Sequence, residues 1–218
     1  MIQQLIAKTN DEDFYQNCNL ETESYSINLK QRRAEIILSI NQISYDEPIE
    51  YEEWKIISHE IEKIHGFDFD MMMPNVKMKI LDKHPLLWKY HDDELECEIK
   101  GTPVDIHKFV FDLVKLLEKH AGNWIDLKDI TWNFSYYMFK IPRTIDIPVS
   151  LEEGIRQICT DQNLSFRIKN YSAGEDKGCA YRPNSKILMF GNEDVSPYEF
   201  NLFQPYIIAE AFEAERIK

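Results

Sequence analysis

Alternating polar and apolar residues near the start of the chain indicate a β-hairpin. The stretch ESYSINL places every second residue on an apolar face, and AEIILSI is rich in β-branched residues. The polar KQRR that lies between them is typical of the turn joining two antiparallel strands. The sequence therefore predicts two paired strands within about the first forty residues.

Two later stretches, NVKMKIL and ELECEIKG, alternate in the same way and predict further strands. In ELECEIKG the apolar residues share one face and the glutamates share the other, because side chains of a strand point alternately to its two faces. The sequence thus predicts a buried face made of Leu95, Cys97 and Ile99 and an exposed acidic stripe made of Glu94, Glu96 and Glu98.

Helical periodicity is clearest just after this strand. Residues 103–120 carry an apolar stripe, with Thr102 as a candidate N-cap, Pro103 at the first helical position and Gly122 as the stop. A second helix is predicted to begin at a capping box formed by Ser150 and Glu153.

Other segments give a less uniform pattern. Trp54–Ile64 fits a helix or a strand, whereas ITWNFSYYMF, LSFRIKNY and SKILMF predict strands. The C-terminal PYIIAEAFEAERIK is interpreted as a strand that passes into a helix.

Strands that follow one another along the chain favour antiparallel pairing. The predicted fold class is therefore α+β, with mainly antiparallel sheets packed against a few helices. The proline-bounded KIPRTIDIPVS suggests the one internal boundary, which divides the chain into residues 1–141 and a smaller α/β region, 142–218, either as separate domains or as two parts of one domain.

Charge is distributed unevenly along the 218 residues. The formal net charge is −13; Asp46–Asp70 holds nine acidic and two basic residues, and Asp92–Glu98 holds five acidic residues and no basic one. These two stretches account for nearly all of the excess. Such a chain repels nucleic acid and anionic membranes and attracts a basic protein. A solvated, acidic surface without a partner is the competing interpretation.

Composition predicts an ordinary globular protein, with 44% hydrophobic residues and 12% aromatic residues. The four cysteines lack paired spacing, so isolated thiols are expected rather than disulfides or a zinc site. The N-terminal stretch has no basic segment before a long apolar run, so no secretion signal is expected, and the predicted location is the cytoplasm.

Catalytic and metal-binding motifs are weak. His59-Glu60 and His65 resemble a zinc-protease helix, but the histidines are six apart rather than four. His84, His91 and Asp92 are the candidates for a small hydrolase, although the sequence fixes no geometry for them. No cofactor and no tightly bound metal are expected, and an enzyme is the weaker class.

Protein binding remains as the favoured function. An acidic surface can steer a basic partner, and an exposed aromatic residue can anchor it; Trp88 is the candidate anchor, with burial at a strand end as its alternative. The predicted partner-binding residues are Asp46, Glu47, Glu50, Glu52, Glu53, Trp88, Asp92, Asp93, Glu94 and Glu96.

The segment from His84 to Leu127 carries a recognisable outline: His-Pro-Leu-Leu-Trp, a strand that ends in glycine, a helix, and then Gly-x-Trp-Ile. This outline resembles a pattern in small bacterial proteins that are similar to immunity proteins of interbacterial toxin systems. The resemblance covers about a fifth of the chain. It implies a cytoplasmic protein with a toxin partner and no catalytic residues, and it favours a strand for Trp54–Ile64.

The sequence therefore predicts an immunity protein that neutralises a basic toxin domain, such as a nuclease, by direct binding. Carboxylates would then occupy the positions of substrate phosphates. The alternatives are the small hydrolase and a structural protein without catalytic activity.

Overall fold

The computed structural model describes nine stretches of the chain: residues 1–42, 51–67, 72–74, 77–122, 124–125, 127–130, 143–176, 181–191 and 204–218. The described helices are α1 (Ile2–Thr9), α2 (Glu12–Asn17), α3 (Trp88–His91), α4 (Ile106–Ala121), α5 (Leu127–Ile130) and α6 (Glu152–Asp161). The described strands are β1 (Cys18–Asn28), β2 (Arg33–Gln42), β3 (Tyr51–His59), β4 (Lys63–His65), β5 (Met72–Pro74), β6 (Lys77–Leu81), β7 (Glu94–Lys100), β8 (Arg143–Pro148), β9 (Ser165–Ser172), β10 (Lys186–Gly191), β11 (Tyr206–Ala209) and β12 (Ala211–Arg216).

Every described strand pairing is antiparallel, and the strands form three sheets. The predicted α+β class is confirmed. None of the described helices is long and apolar enough to cross a bilayer.

The chain divides into two compact units. The first comprises Met1–Lys83, Asn184–Ser196 and Asn201–Lys218, and the second comprises His84–Pro183 and Pro197–Phe200. The boundary that the prolines suggested, between residues 141 and 142, differs from this division, because β8 follows it directly and yet pairs along its whole length with β7.

The first unit contains two sheets, with strand orders β12-β3-β2-β1-β5 and β4-β11-β10-β6. The predicted hairpin is confirmed: β1 and β2 pair from Cys18↔Gln42 to Asn28↔Arg33, so the turn comprises residues 29–32 and overlaps the predicted KQRR by three residues. Apolar residues of β2 and β3, including Ile36, Leu38 and Ile56, are fully buried in the core of this unit.

The segment Trp54–Ile64 is extended rather than helical, in agreement with the strand alternative. It forms most of β3, turns at Glu60 with a positive φ of 51°, and enters β4. His59 and His65 therefore lie on two strands and not on one helix face.

The C-terminal segment was predicted to end as a helix, and this was wrong. After β11 the chain forms a second strand, β12, which pairs with β3 from Ala211↔His59 to Arg216↔Trp54. Phe212 and Ala214 are buried while their neighbours are exposed, which is the period-two pattern of a strand. Pairing with β3 outweighs the helix propensity of this alanine- and glutamate-rich stretch.

The second unit is built on the sheet β8-β7-β9, against which α4 and α6 pack. Its core joins the inner face of β7 to the apolar stripe of α4, where Phe109, Leu113 and Leu117 are buried. The predicted stripe of this helix is confirmed.

The start of α4 differs from the prediction. The helix begins at Ile106, and its N-cap is Asp105, whose carboxylate accepts hydrogen bonds from the amides of His107 and Lys108 at 2.9 and 3.0 Å. These bonds lower the pKa of Asp105, the Lys108 amide having the largest effect. A carboxylate caps more strongly than Thr102 would, so the helix starts three residues later than predicted.

The capping box predicted for α6 does not form. The helix begins at Glu152, its N-cap Leu151 makes no side-chain cap, and the Ser150 hydroxyl lies against His120 instead. Leu151, Ile155 and Cys159 nevertheless face the core as predicted. The predicted strand ITWNFSYYMF falls outside the described residues except for Ile130, which belongs to α5.

Candidate functional site

The outer face of the sheet in the second unit carries the predicted acidic stripe. Leu95, Cys97 and Ile99 are buried, with exposed fractions of 3%, 0% and 2%, so their predicted inward orientation is confirmed and the glutamates between them point outward. Because β7 is the middle strand, its outer side chains are flanked by those of β8 and β9. The glutamates of the stripe are therefore half-buried or buried between neighbouring side chains and are not freely exposed.

The stripe is also not uniformly acidic, which corrects the prediction. Glu98 is only 9% exposed, and its carboxylate lies 2.9 Å from Lys100 Nζ and 3.6 Å from Lys169 Nζ. The hydrogen bond from Lys100 is the main reason that the pKa of Glu98 is lowered. Arg167 is paired opposite Glu98 on β9 and adds a third cation at this end of the face.

The other end of the face has the opposite character. Glu96 is registered opposite Asp146 on β8 and opposite the neutral Asn170 on β9. Residues that are directly opposite in an antiparallel pair share a face, so two carboxylates stand side by side here. Within the described residues Glu96 has no ion pair. Glu94, also half-buried, is two residues further along the same face.

Asp93 precedes this face and organises a loop. Its carboxylate accepts hydrogen bonds from the Tyr171 hydroxyl at 2.6 Å and from the Gly174 amide at 2.9 Å. The bond to Asp93 raises the pKa of Tyr171. The loop approaches so closely that a Cβ on Gly174 would overlap the carbonyl oxygen of His91. Asp93 therefore holds this loop in place in addition to contributing negative charge.

Asp92 is exposed, and its Oδ1 lies 3.2 Å from His91 Nδ1. Asp92, Asp93, Glu94, Glu96 and Asp146 thus lie at the same end of β7, and the structure brings together all four acids that the sequence predicted for this segment. Asp146 is the residue that the sequence analysis missed.

Trp88 is not an exposed anchor, and this part of the prediction was wrong. Its side chain is 3% exposed and belongs to the core of the second unit. Trp88 follows the short turn Pro85–Leu87, and Lys89 Nζ lies over its ring, 5.3 Å from the centroid. Burial in the core, as in the alternative considered for this residue, is what the structure shows, although Trp88 begins α3 and does not end a strand.

The histidines proposed for a hydrolase are not arranged for substrate access. His84 is 7% exposed, its Nδ1 accepts a hydrogen bond from the Leu86 amide at 3.2 Å, and its ring packs edge-on against Trp124. Burial lowers the pKa of His84 to about 4. His84 therefore caps a turn as a neutral imidazole, and His91 is turned toward Asp92.

A different histidine contacts a hydroxyl in this unit. His120 Nε2 lies 3.3 Å from Ser150 Oγ at the start of α6. Burial lowers the pKa of His120, and the charge of Asp92 opposes that shift. The sequence predicts Ser150 as a helix cap, and a separation of 30 residues between Ser150 and His120 gives no sequence signal for this contact.

Two of the described thiols, those of Cys97 and Cys159, are buried and protected from reaction. Burial raises the pKa of Cys97 to about 11 and that of Cys159 to about 12, so both remain protonated near neutral pH. Cys18, Cys97 and Cys159 form no disulfide, and Cys179 lies outside the described residues. No three metal-binding side chains converge in the described ranges.

The second predicted acidic segment lies in the first unit. Asp46, Glu47 and Glu50 fall outside the described residues, whereas Glu52 and Glu53 open β3. The Glu52 side chain is 13% exposed and is held by Lys8 Nζ at 2.6 Å, Trp54 Nε1 at 3.0 Å and Arg216 at 3.3 Å. Burial tends to raise its pKa, but these donors outweigh it and lower the pKa. The backbone of Glu53 pairs with the chain end through Ile217 N–H.

Comparison of the chain with protein-family models, with curated proteins and with solved structures gives no match.

Proposed function

We propose that this chain is a protein-binding protein of the immunity type, which neutralises a basic toxin domain by direct contact in the cytoplasm. The observation that supports this best is the opposition of Glu96 and Asp146 on the outer face of the β8-β7-β9 sheet. The proposal includes no cofactor, no metal and no catalytic step.

Two carboxylates placed directly opposite each other concentrate negative charge at this end of the face, and like charges in such positions disfavour strand pairing. The same strand offers an internal comparison. At Glu98 the chain supplies Lys100 and Lys169 as counterions, but at Glu96 it supplies no ion pair among the described residues. A cation from a partner would complete the Glu96 end in the way that the lysines complete the Glu98 end.

Charges on such a face act mainly on the rate at which the two proteins encounter each other. A patch of one sign raises the association rate of an oppositely charged partner and discourages wrong partners. The excess of −13 agrees with this role, since a basic nuclease domain would be attracted and its phosphate-binding residues would meet carboxylates. The mixed outer face also orients a partner, because its two ends differ in sign.

Co-expression with a basic toxin domain encoded by an adjacent gene tests the proposal. We expect the parent chain to rescue growth and to co-purify with the toxin domain. The triple variant Glu94→Gln, Glu96→Gln, Asp146→Asn should rescue less well.

A matched control uses Glu118→Gln, Glu153→Gln and Asp161→Asn, which removes the same number of charges from α4 and α6 of the same unit. The control should rescue as the parent does. Equal rescue by both triple variants would contradict the assignment of this face.

A small hydrolase is the second candidate, and the contact between Ser150 Oγ and His120 Nε2 is the observation that favours it. A histidine with a lowered pKa can act as the base for a neighbouring hydroxyl. Hydrolysis of p-nitrophenyl acetate by the parent but not by Ser150→Ala would support this candidate, and equal rates would dismiss it.

A further inference from the structure

A cavity of about 400 Å³ opens in the first unit where α1, α2 and β3 meet. Ligand cavities generally have volumes of about 300–1,000 Å³, so this one fits a single long side chain or a small molecule. The lining residues that matter here are Lys8, Asp11, Asp13, Phe14, Ile40 and Glu52.

The charges of this lining do not balance. The three carboxylates of the lining face the Lys8 ammonium group, 2.6 Å from Glu52, and the Arg216 guanidinium, 3.3 Å from Glu52, so one negative charge is left over. Asp11 accepts a hydrogen bond from the Asp13 amide at 3.0 Å, and within the described residues neither aspartate forms an ion pair. The cavity therefore has capacity for one more cation.

Glu52 is a fixed feature of the cavity rather than a mobile surface acid. Its side chain is 13% exposed and is oriented by Trp54 and Arg216 as well as by Lys8. A carboxylate that is held in place by its neighbours binds a cation with less loss of side-chain entropy than a free one. Phe14, which is 7% exposed, and the buried Ile40 form the apolar wall beside the carboxylates.

We propose that this cavity receives the guanidinium group of an arginine side chain from the protein partner. A planar guanidinium can bind two carboxylates at once, which a lysine ammonium does with less geometric specificity. The methylene stem of the arginine would lie along Phe14 and Ile40, as such stems do on apolar surfaces. The inference rests on the proposed function only for the source of the arginine.

Lys8 acts as an internal competitor in this arrangement. Its side chain is 38% exposed and occupies the Glu52 carboxylate when no arginine is present. Removal of its charge should therefore strengthen arginine binding, whereas removal of an aspartate charge should weaken it. If Lys8 and the aspartate had merely structural roles, the two substitutions would not change arginine binding in opposite directions.

The test uses the full chain and two small probes, Nα-acetyl-L-arginine amide and its uncharged isostere Nα-acetyl-L-citrulline amide. Amide shifts of Lys8, Asp13 and Phe14 are followed by NMR during titration of each probe, with residues of α4 as the reference. We expect the arginine probe to shift the cavity amides in a saturable way and the citrulline probe to leave them unchanged.

Asp13→Asn should weaken the arginine probe by about tenfold, the effect of one charge-assisted hydrogen bond. Lys8→Gln should strengthen it, and Asp129→Asn in the second unit, the matched control, should not change it. Equal binding of both probes, absence of saturable shifts, or a weaker response in Lys8→Gln would each overturn the inference.

The two proposals fail separately. Loss of probe binding with intact rescue of a toxin would remove the arginine cavity alone. Saturable probe binding by a chain that neither rescues growth nor co-purifies with a toxin domain would instead indicate that free guanidinium compounds are the ligand, and would overturn the assignment to a partner side chain.

Discussion

Glu96 on β7 and Asp146 on β8 are directly opposite each other, with both carboxylates on the outer face of one three-stranded sheet. Two residues along the same strand, Glu98 is enclosed by Lys100 and Lys169. One strand thus carries a glutamate that the fold neutralises and a glutamate that faces another acid. The contrast permits a test that requires no partner.

Replacement of the two glutamates should change stability in opposite directions. Glu96→Gln should raise the free energy of unfolding by roughly 0.2–1 kcal/mol, because it removes a like-charge cross-strand pair. Glu98→Gln should lower it, because Lys100 and Lys169 lose the carboxylate that they contact. Urea denaturation of the two variants measures both effects, and shifts of the same sign would contradict the reading of this face.

Because the 174–176 turn lies close to His91, we expect substitution by alanine to destabilise the protein more at Gly174 than at Gly154. A methyl group on Gly174 would meet the His91 backbone, which cannot move without disturbing the hydrogen bonds to Asp93. A methyl group on Gly154 would have atoms of the flexible Leu116 side chain as its three nearest neighbours and would favour the helix.

Gly174→Ala should therefore cost about 1–3 kcal/mol of stability, in the range of overpacked sites. Gly154→Ala should cost less, and thermal unfolding of the two proteins ranks them. An equal loss would show that the loop can withdraw from His91.

Leu113 and Phe111 lie on the buried face and the exposed face of α4, respectively, and test which way the helix is turned. Leu113 is 1% exposed, so Leu113→Ala should cost roughly 2–5 kcal/mol through the lost apolar contacts and the cavity left behind. Phe111 is 55% exposed and contacts Lys115 Nζ at its ring face, so Phe111→Ala should cost much less. Chemical denaturation checks the difference, and comparable losses would contradict the phase of the helix.

His84 gives stability a dependence on pH. Its pKa of about 4 in the folded protein lies below the ordinary value of 6.5, so the unfolded chain binds a proton that the folded chain does not in the intervening pH range. The stability that the neutral His84 contributes is therefore fully present above pH 6.5 and is lost as the pH falls from 6.5 toward 4. The loss in the free energy of unfolding reaches up to about 3 kcal/mol, at 1.36 kcal/mol per pH unit.

His84→Asn keeps an acceptor for the Leu86 amide but does not titrate. We expect the variant to lose less stability than the parent between pH 7 and pH 4, as measured from urea midpoints. Identical pH profiles would show that His84 is accessible to protons in the folded state.

The inner face of β7 could be predicted because strand periodicity alone determines which residues turn inward. The neutralisation of Glu98 could not, because Lys169 arrives from β9, where a register shift between Glu96 and Cys97 changes the pairing. Local sequence contains no information about which residue another strand will place beside a charge.

Asp146 was missed although its segment gave a signal. RTIDIP alternates Ile145 and Ile147 inward with Thr144 and Asp146 outward, but the flanking prolines suggested a boundary. Pro148 lies at the end of the strand, where a missing amide is tolerated. The prediction that Trp88 is exposed was wrong for a related reason, since an aromatic residue that is next to charged residues in the sequence can equally belong to the core.

The association rate between the chain and a basic toxin domain, measured by stopped flow at several salt concentrations, tests the central claim most directly. If Glu94, Glu96 and Asp146 steer the partner, the variant with all three as amides should associate more slowly than the parent and with a flatter dependence on salt. The control variant altered at Glu118, Glu153 and Asp161 has the same net charge and should stay close to the parent. If the two triple variants associate at the same rate with the same salt dependence, the face opposite the core of β7 is not the binding surface.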